Sequence, residues 1–306
     1  MQFIYKTQPR FLFHAHIKIK VPDCYEDEVL DRLFAVMEEV DRKYNSYQPD
    51  SYFDRINKNA GNFVEVDDEG ITLLKEVLRL SAFFDGRYDI TIMPLLKLWG
   101  FYEDGETSVP SEDRIQEIIP LIDYSKIRID GNKVKIEEGQ EIITGSFLKA
   151  YAVDKVIKVM REMKMNDGLI NAGGSSISCI NNDVHPFWQV EVNDPENARK
   201  LFTVFVGNKS YSTSSQSVRT VDIDGHPYGH ILNPVTGYPA INKQVGVICE
   251  SCMAGDIIST GLMNETSEGF LERVTQLSQR YPVEGYIIDA EGRITYTREF
   301  KKYLNM

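Results

Sequence analysis

The sequence predicts an α+β protein in which antiparallel, hairpin-rich sheets are packed against helices. Three observations predict it. Stretches with a two-residue hydrophobic period recur along the 306 residues, several joined by Gly-containing turns. Stretches of helical period lie between them. No fixed-period repeat, low-complexity tract or long linker divides the chain, so residues 1–306 read as one unit, either undivided or as two lobes with the site between them.

Phe11 to Val21 alternates: Phe11, Phe13, Ala15, Ile17, Ile19 and Val21 share one face, and His14, His16, Lys18 and Lys20 share the other. That pattern predicts a half-buried strand with solvated histidines. Asp23 reads as a helix cap, followed by Val29, Leu30, Leu33, Phe34, Met37 and Val40 at helical spacing. A second helix fits Ile71 to Phe84 and stops at Asp85-Gly86. A short one fits Glu112 to Ile119, ended by Pro120. Lys126 to Ile136 reads as a hairpin about Gly131-Asn132. Leu148 to Met163 carries Ala152, Val156 and Met160 four apart and reads as a helix.

The C-terminal half is richer in strands. They fit Leu169–Ala172, Trp188–Val192, Leu201–Val206 and Lys209–Thr213, with Gly207-Asn208 turning the last pair. Asp224-Gly225 turns a hairpin that leads to His230. Val245–Cys249 is an apolar strand. Helices fit Ala254–Met263 and Ser267–Arg280, and Gly285–Asp289 pairs with Arg293–Tyr296 across Glu291-Gly292.

Composition narrows the function classes. A chain of this length buries roughly three quarters of its unfolded surface and needs no staples. A net charge of −12 argues against general nucleic-acid binding while leaving room for a local positive pocket. No apolar run approaches the ~18 residues of a membrane span. The N-terminus lacks the shape of a signal peptide, so the sequence as given reads as cytoplasmic. Cys249-Glu-Ser-Cys252 has the spacing of a zinc or redox pair but no second pair, and reads as a strand end and the turn before a helix.

Two segments carry the chemistry. His230-Ile-Leu-Asn-Pro-Val-Thr-Gly237 places an imidazole just before a Pro/Gly turn. Asp256-Ile-Ile-Ser-Thr260 places a carboxylate and a hydroxyl on one face if the stretch is helical. Such oxygens suit a hard cation such as Mg²⁺, which shares itself with phosphates. The same pairs also fit a structural histidine and a solvated helix face or cap.

Further segments resemble the FAD:protein FMN transferase (ApbE) family: Tyr47-Gln-Pro-Asp-Ser51 with Arg55-Ile-Asn57, Gly86-Arg-Tyr-Asp-Ile-Thr-Ile-Met-Pro-Leu95 with Leu98-Trp-Gly-Phe101, Lys149-Ala-Tyr-Ala-Val-Asp154, Asn171-Ala-Gly-Gly174, and the two above. They occur in the family's order from about residue 12 to the end. The resemblance implies an ApbE-like fold and Mg²⁺-dependent transfer of FMN from FAD to a Thr or Ser hydroxyl of an acceptor protein, with AMP leaving. The acceptor would be a redox subunit. Family members are often exported lipoproteins, so the resemblance also raises an exported or lipid-anchored location.

Site roles follow residue by residue from the resemblance. His230 matches the catalytic histidine. Tyr47, Arg87, Tyr88, Asp89, Lys149 and the Leu232 region match FAD-binding positions. Asp256, Thr260, Ser259 and a backbone carbonyl near Ser146 match the metal site. The chain departs from the family at Ile143-Thr-Gly-Ser-Phe-Leu-Lys-Ala150, where Asp-Leu-Gly-Gly-Ile-Ala-Lys-Gly is usual, and at Leu12-Phe13-His14, Thr213-Ser214-Ser215 and Asn233. Larger side chains in the first of these loops are expected to narrow the FAD pocket. That keeps two other readings open: a non-catalytic FAD-binding relative, or a hydrolase splitting FAD to FMN and AMP.

Overall fold

The computed structural model describes residues 4–102 and 108–304; residues 1–3, part of the N-terminal stretch read above for a signal, lie outside them. The chain opens with strands β1 (Tyr5–Leu12) and β2 (Ala15–Pro22). Helices α1 (Glu28–Tyr44) and α2 (Tyr52–Lys58) follow, then β3 (Val64–Glu65), α3 (Asp68–Phe83), α4 (Met93–Leu98) and α5 (Glu112–Ile118). Next come β4 (Arg128–Asp130), β5 (Lys133–Lys135), α6 (Leu148–Glu162), β6 (Gly168–Ala172), β7 (Ser176–Ile180), β8 (Trp188–Asn193) and β9 (Lys200–Val206). The last part comprises β10 (Ser210–Ser215), β11 (Thr220–Ile223), β12 (His226–Gly229), β13 (Gln244–Cys249), α7 (Cys252–Leu262), α8 (Ser267–Leu277), β14 (Glu284–Ile288) and β15 (Ile294–Tyr296).

Eight strands form one antiparallel sheet in the order β1-β2-β6-β7-β10-β13-β14-β15. Helices α1, α6 and α7 pack on one another and cover one face, because each carries an apolar stripe. Ile17, Ile19, Val21, Phe34, Met37, Val156 and Ile257 fill the core between them. The ribbon β8–β9 lies on the other face over a second core of Val190, Val204, Tyr211, Tyr286 and Phe300. A third apolar cluster gathers Leu95, Trp99, Phe101, Ile143 and Leu232 beside the β11–β12 hairpin. No helix among the described residues is long and apolar enough to cross a membrane.

The α+β expectation holds, and most elements fall where periodicity placed them. Four readings change. The alternation from Phe11 to Val21 runs through a two-residue turn: Leu12 pairs with Ala15, and Phe13 and His14 adopt φ of 52° and 57°. Periodicity does not register a turn that keeps the hydrophobic phase. Asp23 caps nothing; α1 starts five residues later, after Asp27. Gly207-Asn208 does not turn a hairpin. It returns the chain from the ribbon to the main sheet, where the side chains of Asn208 and Asn181 bond each other's backbone N–H. Cys252 is the first residue of α7 rather than part of the preceding turn.

Candidate active site

Helix α7 starts at Ser251, whose hydroxyl accepts from the Ala254 N–H. Asp154, on α6, reinforces this start: its carboxylate accepts from the Cys252 N–H (2.7 Å), the Met253 N–H (3.0 Å) and the Ser251 hydroxyl (2.7 Å). A carboxylate there complements the helix dipole and fixes the angle of α7. One turn on, Asp256 is buried against the sheet. The Ser176 hydroxyl donates to both its oxygens, at 2.9 and 2.7 Å. Burial pushes the Asp256 carboxyl above the usual range, opposed by the Lys149 ammonium and the Ser176 hydroxyl.

Lys149, in the first turn of α6, is held by the fold. Its ammonium donates to the Ala172 carbonyl (3.0 Å), Ser175 Oγ (2.6 Å) and Ser176 Oγ (2.8 Å). All three ammonium protons are thus engaged within the fold. The Ser259 and Thr260 hydroxyls donate to the Asp256 carbonyl at 3.1 and 2.8 Å, and both meet Ser214 Oγ, at 2.8 and 3.0 Å. Asp256 and Thr260 do share a helix, as their spacing predicts, but their oxygens have different partners.

Ser146 lies in the turn before α6, and its hydroxyl meets the buried Tyr88 hydroxyl at 2.9 Å. Burial pushes the Tyr88 phenol far up, so it stays a neutral hydrogen-bonding group. Asp89 is committed internally. It accepts from the Thr91 N–H (2.8 Å), the Thr91 hydroxyl (2.7 Å) and the Tyr124 N–H (2.7 Å), and burial lifts its pKa to about 6. Its carboxylate shapes the turn after α3, and Arg87, a third exposed and 3.6 Å from Asp85, is the side chain of this segment that reaches solvent. Ile143, Leu148 and Ala150 are packed inside the two neighbouring cores, so they do not project from the loop; Ser146 is half-buried at its surface.

A row of rings forms a second wall. Tyr47 stacks on Tyr102 with centroids 5.7 Å apart, His14 meets Tyr47 edge-on at 5.4 Å, and the Arg219 guanidinium lies 4.2 Å over Tyr102. Burial, then the neighbouring Tyr102 phenol, pushes the Tyr47 hydroxyl well up; that hydroxyl makes no well-formed hydrogen bond. Arg219 also donates to the Phe101 carbonyl at 2.7 Å. His230, half-buried beside Phe101, leaves β12 with its N–H and its Nδ1 both on the Arg219 carbonyl, at 3.1 and 3.2 Å. A carbonyl only accepts, so Nδ1 carries the proton and Nε2 keeps its lone pair. Burial first, with the Arg219 charge, lowers the His230 pKa, so the ring is neutral at neutral pH.

His230 begins a loop closed on itself. The Asn233 N–H donates to the Tyr238 carbonyl, the Ala240 N–H to the Ile231 carbonyl, and the Trp99 indole to the Gly237 carbonyl. Leu232 is buried in the Trp99 cluster, and its backbone bridges to Pro239. The end of β10 joins the two halves of the site. Ser214 touches the α7 hydroxyls, and two residues later Gln216 bonds the backbone next to His230.

The structure therefore groups Lys149, Asp256, Ser259 and Thr260 with Ser176 and Ser214, pairs Ser146 with Tyr88, and sets His230 and Tyr47 on a wall with Tyr102 and Arg219. Ser176, Gln216, Tyr102 and Arg219 escaped the sequence reading, and Ser214 entered it only within the Thr213–Ser215 departure from the family. The signal available for the serines was alternation of Ser212 and Ser214 along one strand, which hydrophobic periodicity does not score.

Residues 13–294 match the profile of the ApbE family. The FAD:protein FMN transferase of Vibrio cholerae serotype O1 is 27% identical over 242 residues, spanning 76% of this chain and 71% of its own. The crystal structure of the ApbE protein from Thermotoga maritima superposes with a TM-score of 0.91 at 25% identity, covering 99% of this chain and all of that one. The apo flavinyl transferase ApbE of Pseudomonas stutzeri gives 0.85 at 25% identity, covering 100% and 98%.

Proposed function

The chain belongs to the ApbE family, and from that premise we propose that it is an FAD:protein FMN transferase which moves the FMN half of FAD onto a Thr or Ser hydroxyl of an acceptor protein, a redox subunit, with release of AMP. The observation that carries this reading is the junction at the end of β10. It ties a neutral histidine with its Nδ1 proton fixed to a buried carboxylate ringed by hydroxyls.

The donor set fits a hard divalent cation in kind. Asp256, Ser259, Thr260 and the backbone around Ser146 supply oxygen ligands only. No group of three or more His, Cys, Asp or Glu side chains able to hold a metal occurs among the described residues. Mg²⁺ commonly takes one or two carboxylates and completes its shell with water and substrate phosphate. Bound there, Mg²⁺ would neutralise charge on the FAD diphosphate. The chain's own residues do the rest. His230 Nε2 accepts the proton of the acceptor hydroxyl as its oxygen bonds to the FMN phosphorus. The bond from that phosphorus to the bridging oxygen breaks, and AMP leaves with the electron pair. Lys149, held near Asp256, adds fixed positive charge, and the rings of Tyr47 and Tyr102 offer stacking surface for a planar heterocycle.

The test is incubation of the protein with FAD, Mg²⁺ and an acceptor protein. Flavin fluorescence that stays with the acceptor on a denaturing gel, with matching AMP release, is expected. AMP release without labelling would make the protein a hydrolase. Neither product, across several acceptors, would overturn the enzymatic reading.

A further inference from the structure

His230 is held by its own backbone and by its neighbours, and one side chain touches the chain on both sides of it. The Gln216 amide nitrogen donates to the Ile231 carbonyl (2.9 Å) and the Ala240 carbonyl (2.7 Å), while its oxygen accepts from the Ile231 N–H (3.2 Å). On the other flank, Gly229 lies against the same side chain. A Cβ there would stand 2.0 Å from the Gln216 Oε1 and 2.6 Å from its Cδ. Glycine is thus required at 229 by close approach of Gln216 rather than by its backbone angles. Gln216 is itself anchored, its N–H on the Lys243 carbonyl at 3.1 Å.

We infer that Gln216 is a positioning residue for His230: its amide fixes the backbone at Gly229 and Ile231, and so holds the imidazole where Nδ1 reaches the Arg219 carbonyl and Nε2 faces the substrate. Three features set this apart from ordinary loop bonding. The amide satisfies two carbonyls and one N–H at once, so it has one allowed orientation. Its contacts bracket the histidine at i−1 and i+1. The turn that carries Gln216 also carries Arg219, the acceptor for His230 Nδ1. Loss of the amide frees both the histidine's backbone and the spacing to its acceptor. The consequence for catalysis rests on the proposed role of His230 as base; the positioning itself does not.

The experiment uses the full chain with two readouts. Gln216→Met keeps the shape and removes all three hydrogen bonds. The ring ¹⁵N shifts of His230, assigned by comparison with His230→Ala, report which nitrogen holds the proton. Wild type is expected to be protonated at Nδ1, and Gln216→Met to show a mixture of tautomers. AMP release from FAD with Mg²⁺ is expected to slow by about 10- to 100-fold, with FAD affinity by flavin fluorescence unchanged within about twofold. In a His230→Ala background the same substitution should change the residual rate by less than about twofold, because it has no histidine left to misplace. Gly229→Ala approaches the contact from the other side. It should reproduce the tautomer mixture, and combining it with Gln216→Met should be no worse than the worse single change.

An unchanged His230 tautomer in both variants would overturn the inference, as would an equal rate loss with and without His230. If the tautomer shifts while the wild type releases no AMP, the positioning stands and the transferase reading falls.

Discussion

An imidazole acts as a base only while one ring nitrogen is free of a proton. At His230 two effects secure that: the Arg219 carbonyl holds the Nδ1 proton, and burial with the Arg219 charge lowers the pKa. Protonation at Nε2 removes the base. Because the pKa lies below the ordinary value of about 6.5, FMN transfer is expected to stay level through neutral pH. It should fall only as pH drops further into the acid range, with the inflection below 6.5. His230→Ala should lower transfer by about 10²- to 10⁴-fold and abolish that acid limb while leaving FAD binding in place. A pH–rate profile of both proteins checks it; an acid limb retained by the variant would assign it to another group. The histidine and its place before the Asn233–Gly237 turn were legible in the sequence. The Arg219 carbonyl was not, because its approach depends on how two hairpin ends meet and not on side-chain identity.

At the scale of elements, the side chains by which two segments depart from the family do different things: Ile143, Leu148 and Ala150 pack into the cores, whereas His14 meets Tyr47 edge-on. Leu148 begins α6 and is 1% exposed within the main core. Leu148→Gly would remove that side chain and loosen the helix start, at a cost of about 3–5 kcal/mol. Denaturant unfolding should show the loss, with no gain in FAD affinity. Tighter FAD binding at unchanged stability would instead revive the idea that this loop narrows the pocket. The β1–β2 turn departs in the opposite sense. His14 holds φ of 57° in a two-residue turn, a conformation that favours Asn-Gly. His14→Gly should therefore stabilise the fold by about 1 kcal/mol, read as a higher unfolding midpoint; a lower midpoint would mean that the ring contact with Tyr47 outweighs the backbone strain. Helices with strong apolar stripes, such as α1 and α3, could be read from the sequence. β7 was not read and β10 was read short of its end, since Ser176, Ser178, Ser210, Ser212 and Ser214 face α7 as a buried hydroxyl seam where periodicity looks for apolar residues.

Over the whole molecule, the candidate site is assembled from positions far apart in sequence. Tyr47, Lys149, Ser176, Gln216, His230 and Asp256 come from segments that meet only through the sheet order β6-β7-β10-β13 and the helix layer above it. Sequence patterns reveal elements but not which strands become neighbours, because pairing is non-local; that is why the strand-borne Ser176 and Ser214 hydroxyls could not be joined to the Asp256 helix until the sheet was known. The same topology has a thermodynamic consequence. A ligand that touches several of these segments binds only the folded arrangement, so it stabilises the whole chain by mass action. At a concentration of 100 times its dissociation constant, FAD should add about 2.7 kcal/mol, which for a chain of this size raises the unfolding midpoint by about 4 °C. Mg²⁺ added together with FAD should raise it further. Mg²⁺ alone should do little, since a single buried carboxylate is a weak cation site without phosphate oxygens. Asp256→Asn should keep the FAD shift and lose the Mg²⁺ increment, a difference that thermal unfolding with each ligand alone and with both resolves directly. An increment that survives Asp256→Asn would place the cation elsewhere in the fold.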